Sequence, residues 1–575
     1  MQAGGGGRMN DLQMVALGEA SADLVVEGGR VLLPELGEFQ SRAVAVVNNR
    51  VAALPADPES AVGPDTEVIH ADGRAVVPGF IDAHTHLDLQ QCYELAYHYS
   101  LEGGTTTVIS ECSGFGSFGP SGIEEFLAAT AYLPVTVRAT LPPTPLFDTF
   151  EPPAATDEEA SELLDLLADD RVVGVGESGW IHAVGRDTPA EALYERAGEV
   201  GKPVTGHAAG CRGADLAAFA SIIDDDHEAI TREGVIERAE NGIHVVGRCG
   251  SVRDDIEALA AAIDRVDPAE CSLSSDGVWP RDLTDGHMDR VVRRAIEAGI
   301  EPTDAIRMAT LSPAQHFGLS DRGSLAPGNV ADVVVLSDLE GVRVETVVSG
   351  GEVVVRNGSA TVGPRNREYP PEFYDSVSIP TDPGAFSTPA DGDWVRAITL
   401  EGGLLTGEQR VSPVVEGGGF RPDPDGDVLK AALLDRRADS EGGFTGFLTG
   451  LGLESGAVAT SLAWERPGVI VVGADEREMA RAAARVAGMG GGWAVADGEI
   501  VAELPLRVGG LCSDLDVEET ATLTGTVESA LRARGVGVDR PLLAIQTLSF
   551  PGVPALKLSF SGYADVRARE LVGLR

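Results

Sequence analysis

The sequence predicts an α/β protein with a parallel core, either a barrel or an open doubly wound sheet, carrying two further units. Three observations predict it. Short apolar strands alternate with amphipathic stretches over residues 76–320. Segments rich in β-branched residues flank that region on both sides, and a final stretch mixes strands and helices of its own. The chain has 575 residues, which at about 150 residues per domain leaves room for three or four domains, or one large barrel with attachments. Apolar residues make up 43%, enough to fill cores and to exclude a wholly disordered chain.

Residues 1–75 read as the first part of a small β domain. Runs at 23–27, 30–33, 43–48 and 50–54 are rich in β-branched residues, with turns at Gly28-Gly29 and Asn48-Asn49. The segment is too short to stand alone and calls for a partner elsewhere in the chain. Residues 76–320 form the core, with strands expected near 75–81, 105–109, 135–139, 172–175, 203–206, 243–246 and 271–273. Helices are expected at 155–168, 190–200 and 253–265. No GxGxxG or Walker loop opens a helix there, which disfavours a nucleotide-binding open sheet. Residues 321–358 return to strands and are read as completing the small β domain. Residues 359–395, rich in Pro, Gly and Ser, read as a linker or extended wrap, and 396–575 as a C-terminal α+β domain. Its Gly490-Gly491-Gly492 run is read as a helix stop rather than a phosphate cradle, because no lysine accompanies it.

Charge narrows the function classes. Asp and Glu number 90 against 44 Lys and Arg, for a net charge of -46, and only Lys202, Lys430 and Lys557 are lysines. So acidic a surface repels polyphosphates and argues against nucleic acid as a partner. High acid with scarce lysine resembles proteins of salt-loving microbes, and predicts folding that depends on salt. No apolar run reaches the ~20 residues of a membrane span. Residues 1–21 lack a basic segment followed by an apolar one, so a cytoplasmic protein is expected, with Met9 an alternative start. The cysteines Cys92, Cys112, Cys211, Cys249, Cys271 and Cys512 form no CxxC pair and are read as buried thiols in a reducing compartment.

The strongest chemical signal is Asp82-Ala83-His84-Thr85-His86, directly after an apolar strand. Residues two apart on a strand face one side, so His84 and His86 can reach one ion. The C-terminal ends of barrel strands are where such folds build active sites. Further polar residues follow apolar runs in the same manner: Glu177 after 172–176, His207 after 203–206, and Asp276 after 273–275. His227 ends the acidic run 224–226. Histidines and carboxylates in this order suit a carboxylate-bridged pair of divalent ions such as Mn, Fe or Zn.

These residues also carry a resemblance. PGFIDAHTH, the later single histidines, the late aspartate and SLAPGNVADVVVL look like the amidohydrolase superfamily. EGGTTTVIS, GVGESGW, VTGHAAG, DGHMDRVVRRAIEAGIEPTDAIRMATLSPAQHFGL and, near the end, AELPLRVGGLCSD and ALKLSFSGYADV resemble the adenine deaminase family over nearly the full length. The resemblance implies a distorted (β/α)8 barrel, a composite β-sandwich from both of its flanks, and a family-specific C-terminal α+β domain. It implies two metal ions, with His84, His86 and Asp276 on one, His207 and His227 on the other, and Glu177 bridging. It also implies Asp276 as general base and proton donor in the deamination of adenine to hypoxanthine and ammonia, part of purine salvage. A small-molecule substrate and a homo-oligomer follow from the same likeness.

Departures from the family pattern fall where substrate would sit. Asp88 replaces a glutamate; Glu111-Cys112-Ser113-Gly114 replaces Asp-Pro-His-Glu; Gly277-Val278-Trp279 follows the late aspartate in place of an acid and basic residues. Residues 463–468 lack the family's histidine. Asp88, Arg248 and Trp279 are read as substrate contacts. His98, His182 and His244 are read as packing, His70 as a loop residue and His316 as a helix residue outside the site. For His287 a structural and a substrate role stay open. The altered residues keep a second activity in view, hydrolysis of another aminated heterocycle or a cyclic amide. A non-catalytic purine-binding homologue is a third reading.

Overall fold

A computed structural model describes residues 7–575 apart from 145, 152–154, 186, 403–404, 438–439, 441 and 465, so the glycine run up to residue 6 and the altered position 465 lie outside the described residues. The core is eight parallel strands in sequential order: β1 (Phe80–Thr85), β2 (Thr105–Ser110), β3 (Thr136–Leu141), β4 (Val172–Gly179), β5 (Val204–His207), β6 (Asp225–Asp226), β7 (His244–Arg248) and β8 (Cys271–Ser274). Every residue of β1 is buried, without the polar alternation of a one-sided sheet, as expected for a strand covered on both faces. Between β8 and β1 the ring closes through specific bonds. The Asp276 amide donates to the His84 carbonyl at 3.0 Å, and Asp82 accepts from the Ser275 amide at 2.9 Å and from its hydroxyl at 2.6 Å. Burial raises the Asp82 carboxyl to about 6, although those bonds pull the other way.

Strand β6 is absent from the sequence reading. Its two residues are aspartates, which no apolar criterion selects, and both are buried because each has a cationic or hydrogen-bonding partner. Asp225 pairs with His316 Nε2 at 2.7 Å. Asp226 pairs with Arg238 and also accepts from the Ala208 amide at 2.7 Å. His316 thus closes a barrel strand from the end of a helix, Leu311–His316.

The flanks of the barrel join. Val333–Asp338 runs antiparallel to Ala75–Pro78 with Val333 opposite Pro78 and Leu336 opposite Ala75. In the same seven-stranded sheet lie Arg30–Leu33 and Glu38–Ser41 from before the barrel and Arg343–Ser349 and Glu352–Arg356 from after it. Segment 359–395 wraps the barrel: Tyr97 donates its hydroxyl to the Gly363 carbonyl at 2.7 Å and Tyr369 donates to Glu94 at 2.7 Å.

Beyond it, an eight-stranded mixed sheet is covered by the helix Glu476–Met489 and contacted by Val517–Arg532. Gly490 caps the first helix in the left-handed conformation at φ 78°, so the glycine run is a helix stop. This domain docks on the barrel through Cys512–Ser513, which pairs with Gln90–Gln91. Arg540 adds a bond to the Val252 carbonyl at 2.7 Å. Among the described residues no helix is long and apolar enough to cross a membrane.

Candidate metal centre and substrate cavity

The polar residues at the barrel's C-terminal end converge. Glu177, on β4, stands between two histidine groups: its Oε1 lies 2.5 Å from His207 Nδ1 and 3.3 Å from His227 Nε2, and its Oε2 lies 3.6 Å from His86 Nε2. Asp276 follows β8 and turns back over the barrel in the left-handed region, φ 51°, a conformation sparsely populated outside glycine and concentrated at functional sites. Its Oδ1 sits 3.6 Å from His84 Nε2 and 3.7 Å from His86 Nε2. Its Oδ2 accepts from Arg248 Nη1 at 3.0 Å.

Electrostatics decide what this arrangement can hold. Glu111, Glu177, Glu228 and Asp276 all lie against these buried histidines, with Arg248 as the guanidinium beside Glu228 and Asp276. Uncompensated buried carboxylates are costly. Burial alone would raise the Asp276 carboxyl, but Arg248 and then His84 hold it well below the usual carboxylate range. Burial is likewise overcome at Glu228, which Arg248 and His207 bring down to about 2.

Divalent cations fit this donor set. His84, His86 and Asp276 form one group, His207, His227 and Glu228 another, and His84, Glu177 and His227 a third between them, each with donor atoms within 4.8 Å of one another. Both ring nitrogens of His84 are buried without a hydrogen bond of good geometry among the described residues. They face Glu111 and Asp276 at 3.2 and 3.6 Å, the spacing of groups arranged around an ion rather than bonded to each other.

A cavity lined by His86, Glu177, His207, His227, Arg248 and Asp276 opens above these groups. The family comparisons agree on what kind of chain builds it. An amidohydrolase family model matches residues 75–354 and an adenine deaminase C-terminal domain model matches 403–570. An adenine deaminase of Methanothrix thermoacetophila is 34% identical over 568 residues, covering 97% of this chain and 98% of the relative. One from Cereibacter sphaeroides is 34% identical over 577 residues, covering 98% and 99%. The chain belongs to the adenine deaminase family. A crystal structure of an adenine deaminase matches 58% of this chain and 99% of that chain at 18% identity, with a TM-score of 0.46.

Within this family member, the sequence-selected residues distribute unevenly. His84, His86, Glu177, His207, His227 and Asp276 meet in the one constellation described above. Arg248 and Trp279 line the cavity, with Arg248 Nη1 on Glu228 and Asp276 and its Nε on Asp255. Asp88 is not among the lining residues. It accepts from the Phe115 amide at 2.7 Å and borders a small internal pocket with Cys92, Phe126 and Cys512. Burial raises its carboxyl to about 7. His287 is buried between Thr105 and Asp82, behind the site.

Sequence reasoning missed several residues. Glu111 follows β2 as Glu177 ends an apolar run on β4, yet it was read only as a departure. Its Oε1 faces His84 Nδ1 at 3.2 Å and its Oε2 accepts from the Glu177 amide at 2.6 Å, so it orients two members of the constellation. Glu228, next to His227, follows β6, which no apolar run marks. The C-terminal domain supplies Arg436 and Phe550 to the cavity wall, which no local pattern announces, together with Trp464 and Arg466 from the altered segment 463–468 that the resemblance sets near substrate. Arg466 is buried, paired with Asp148 at 2.9 Å.

Proposed function

We propose that this chain catalyses hydrolytic deamination of adenine to hypoxanthine and ammonia, a purine-salvage reaction, with two divalent ions. The observation that carries the reading is Glu177 set between two histidine groups, with Asp276 opposite and held ionised by Arg248. His84, His86 and Asp276 would hold one ion, and His207 and His227 the other, with Glu177 shared. Mn, Fe or Zn suit these mixed nitrogen and oxygen donors. Ions so held supply Lewis acidity and lower the pKa of water.

The chain's own groups do the rest. Water adds at C6 of the ring and the C6–N6 bond breaks. Asp276, ionised and turned toward the site, accepts one proton from the water and delivers it to the departing nitrogen, while the water's second proton ends on ring N1 as the C6 carbonyl forms. Arg248 holds Oδ2, so Oδ1, which faces His84 and His86, is the oxygen turned toward the site. Glu228, held ionised, contributes charge and no proton. Trp279 and Trp464 present aromatic surface to a flat heterocycle. The reading places the enzyme in the cytoplasm as a homo-oligomer; light scattering in molar KCl tests the latter.

A second substrate class has one observation in its favour. The altered segments 277–279 and 463–466 contribute Trp279, Trp464 and Arg466 to the cavity wall itself, where selectivity is set. Both readings are tested together on protein purified in molar KCl with Mn or Zn. Equimolar ammonia and hypoxanthine from adenine support the first. Two bound ions with no adenine turnover, and ammonia or ring opening from another heterocycle or cyclic amide, support the second.

A further inference from the structure

One metal-site contact crosses from the barrel to the C-terminal domain. His207, at the end of β5, points Nδ1 at Glu177 and places Nε2 3.2 Å from the carbonyl oxygen of Gly552. A carbonyl only accepts, so Nε2 carries the hydrogen and, in the neutral ring, Nδ1 is the nitrogen with a lone pair.

The surroundings hold this carbonyl in place. Gly552 follows the turn Thr547–Ser549, whose Ser549 carbonyl accepts from Arg466 Nε at 3.2 Å and whose Thr547 carbonyl accepts from Lys557 Nζ at 3.1 Å. Arg466 in turn pairs with Asp148 of the barrel. The Phe550 ring meets His207 edge-on, with centroids 5.4 Å apart, and packs against Trp464 at 5.5 Å. No side chain fits at 552: a Cβ would lie 2.3 Å from the Phe550 ring and 2.9 Å from His207 Nε2. Gly552 does not have a left-handed φ, so glycine is demanded here by space and not by backbone conformation.

We infer that Gly552 is a positioning residue through which the C-terminal domain sets the tautomer and aim of His207, making that domain part of the second ion's site. The inference rests on the two-ion reading above. Partners of this kind on a ligand histidine change metal affinity by about 10–100-fold when disturbed.

The test is metal binding, without turnover. Wild type and Gly552→Ala are stripped with a chelator in molar KCl and titrated with Mn or Zn, and bound ion per chain is measured with the thermal midpoint of the stripped protein. The expected result is two equivalents in wild type, and in Gly552→Ala one unchanged equivalent and one weakened about 10–100-fold. Should Gly552→Ala fail to melt cooperatively, Arg466→Lys decides. It keeps a cation beside Asp148 while removing the Nε bond to the Ser549 carbonyl, and should weaken one equivalent by a few-fold. Two equivalents of wild-type affinity in the folded variant overturn the inference and leave the two-ion reading standing. Fewer than two in wild type overturn both.

Discussion

The cavity's floor and its outer wall are built by different means. The floor takes one or two side chains from the ends of β1, β2, β4, β5, β6, β7 and β8, nearly all charged or imidazole and nearly all in contact with one another. The wall takes Trp464, Arg466 and Phe550 from another domain and sets aromatic faces against the opening. Coupled buried charges make the floor intolerant, since each removal strands a partner. Aromatic contacts on the wall, such as that of Trp464 with Phe550, strand no charge when they change, so away from the Gly552 contact with His207 they can vary while the floor is kept. Of the departures from the family pattern, those at 277–279 and 463–468 fall on the wall, whereas the one at 111–114 reaches the floor through Glu111, a carboxylate facing His84.

The contrast can be broken or sharpened by substitution. The largest effect is expected from Arg248→Met, which leaves Glu228 and Asp276 without their guanidinium and should cost about 3–5 kcal/mol of stability in denaturant unfolding. Its pH profile carries a second readout. Arg248 depresses the Asp276 carboxyl, and in the proposed mechanism the ionised form is the base, so activity should be lost as pH falls through that pKa. Removing the guanidinium raises the pKa and moves the acid limb of kcat/KM to higher pH. Glu111→Gln keeps the shape but weakens the hold on His84, and should lower metal affinity about 10–100-fold, measured by competition with a chelator.

Smaller effects are expected at the wall. Trp464→Ala should raise KM about tenfold with little change in kcat, in line with the ~1–3 kcal/mol of stacking a flat base on an aromatic ring. A comparable loss in kcat would show that wall and floor are not separable. Smallest is the whole-surface response. With a net charge of -46, moving from molar to millimolar KCl should lower the thermal midpoint by several degrees through unscreened repulsion. An unchanged midpoint would remove the case for adaptation to salt.

Legibility in the sequence follows the same division. Strands such as 75–81 and 172–175 are apolar runs followed by polar residues that reach the site. That placement, together with the family resemblance, pointed to His84, His86, Glu177, His207 and Asp276. Strand β6 was hidden because its aspartates are buried by pairing with His316 and Arg238 rather than by apolar character. Asp88 was read toward the substrate because it lies two residues after His86, yet the chain has left β1 there and the side chain holds the Phe115 amide. The contributions of Trp464, Arg466 and Gly552 depend on domain docking, which no local spacing encodes.

The central claim is that Asp276, held ionised by Arg248, moves the proton in hydrolysis on a floor that binds two divalent ions. The most direct measurement is single-turnover deamination of adenine by Asp276→Asn, with bound metal quantified in the same sample. The account predicts that ions are retained while hypoxanthine and ammonia fall by about 10²–10⁴-fold. Wild-type turnover by the loaded variant would contradict it.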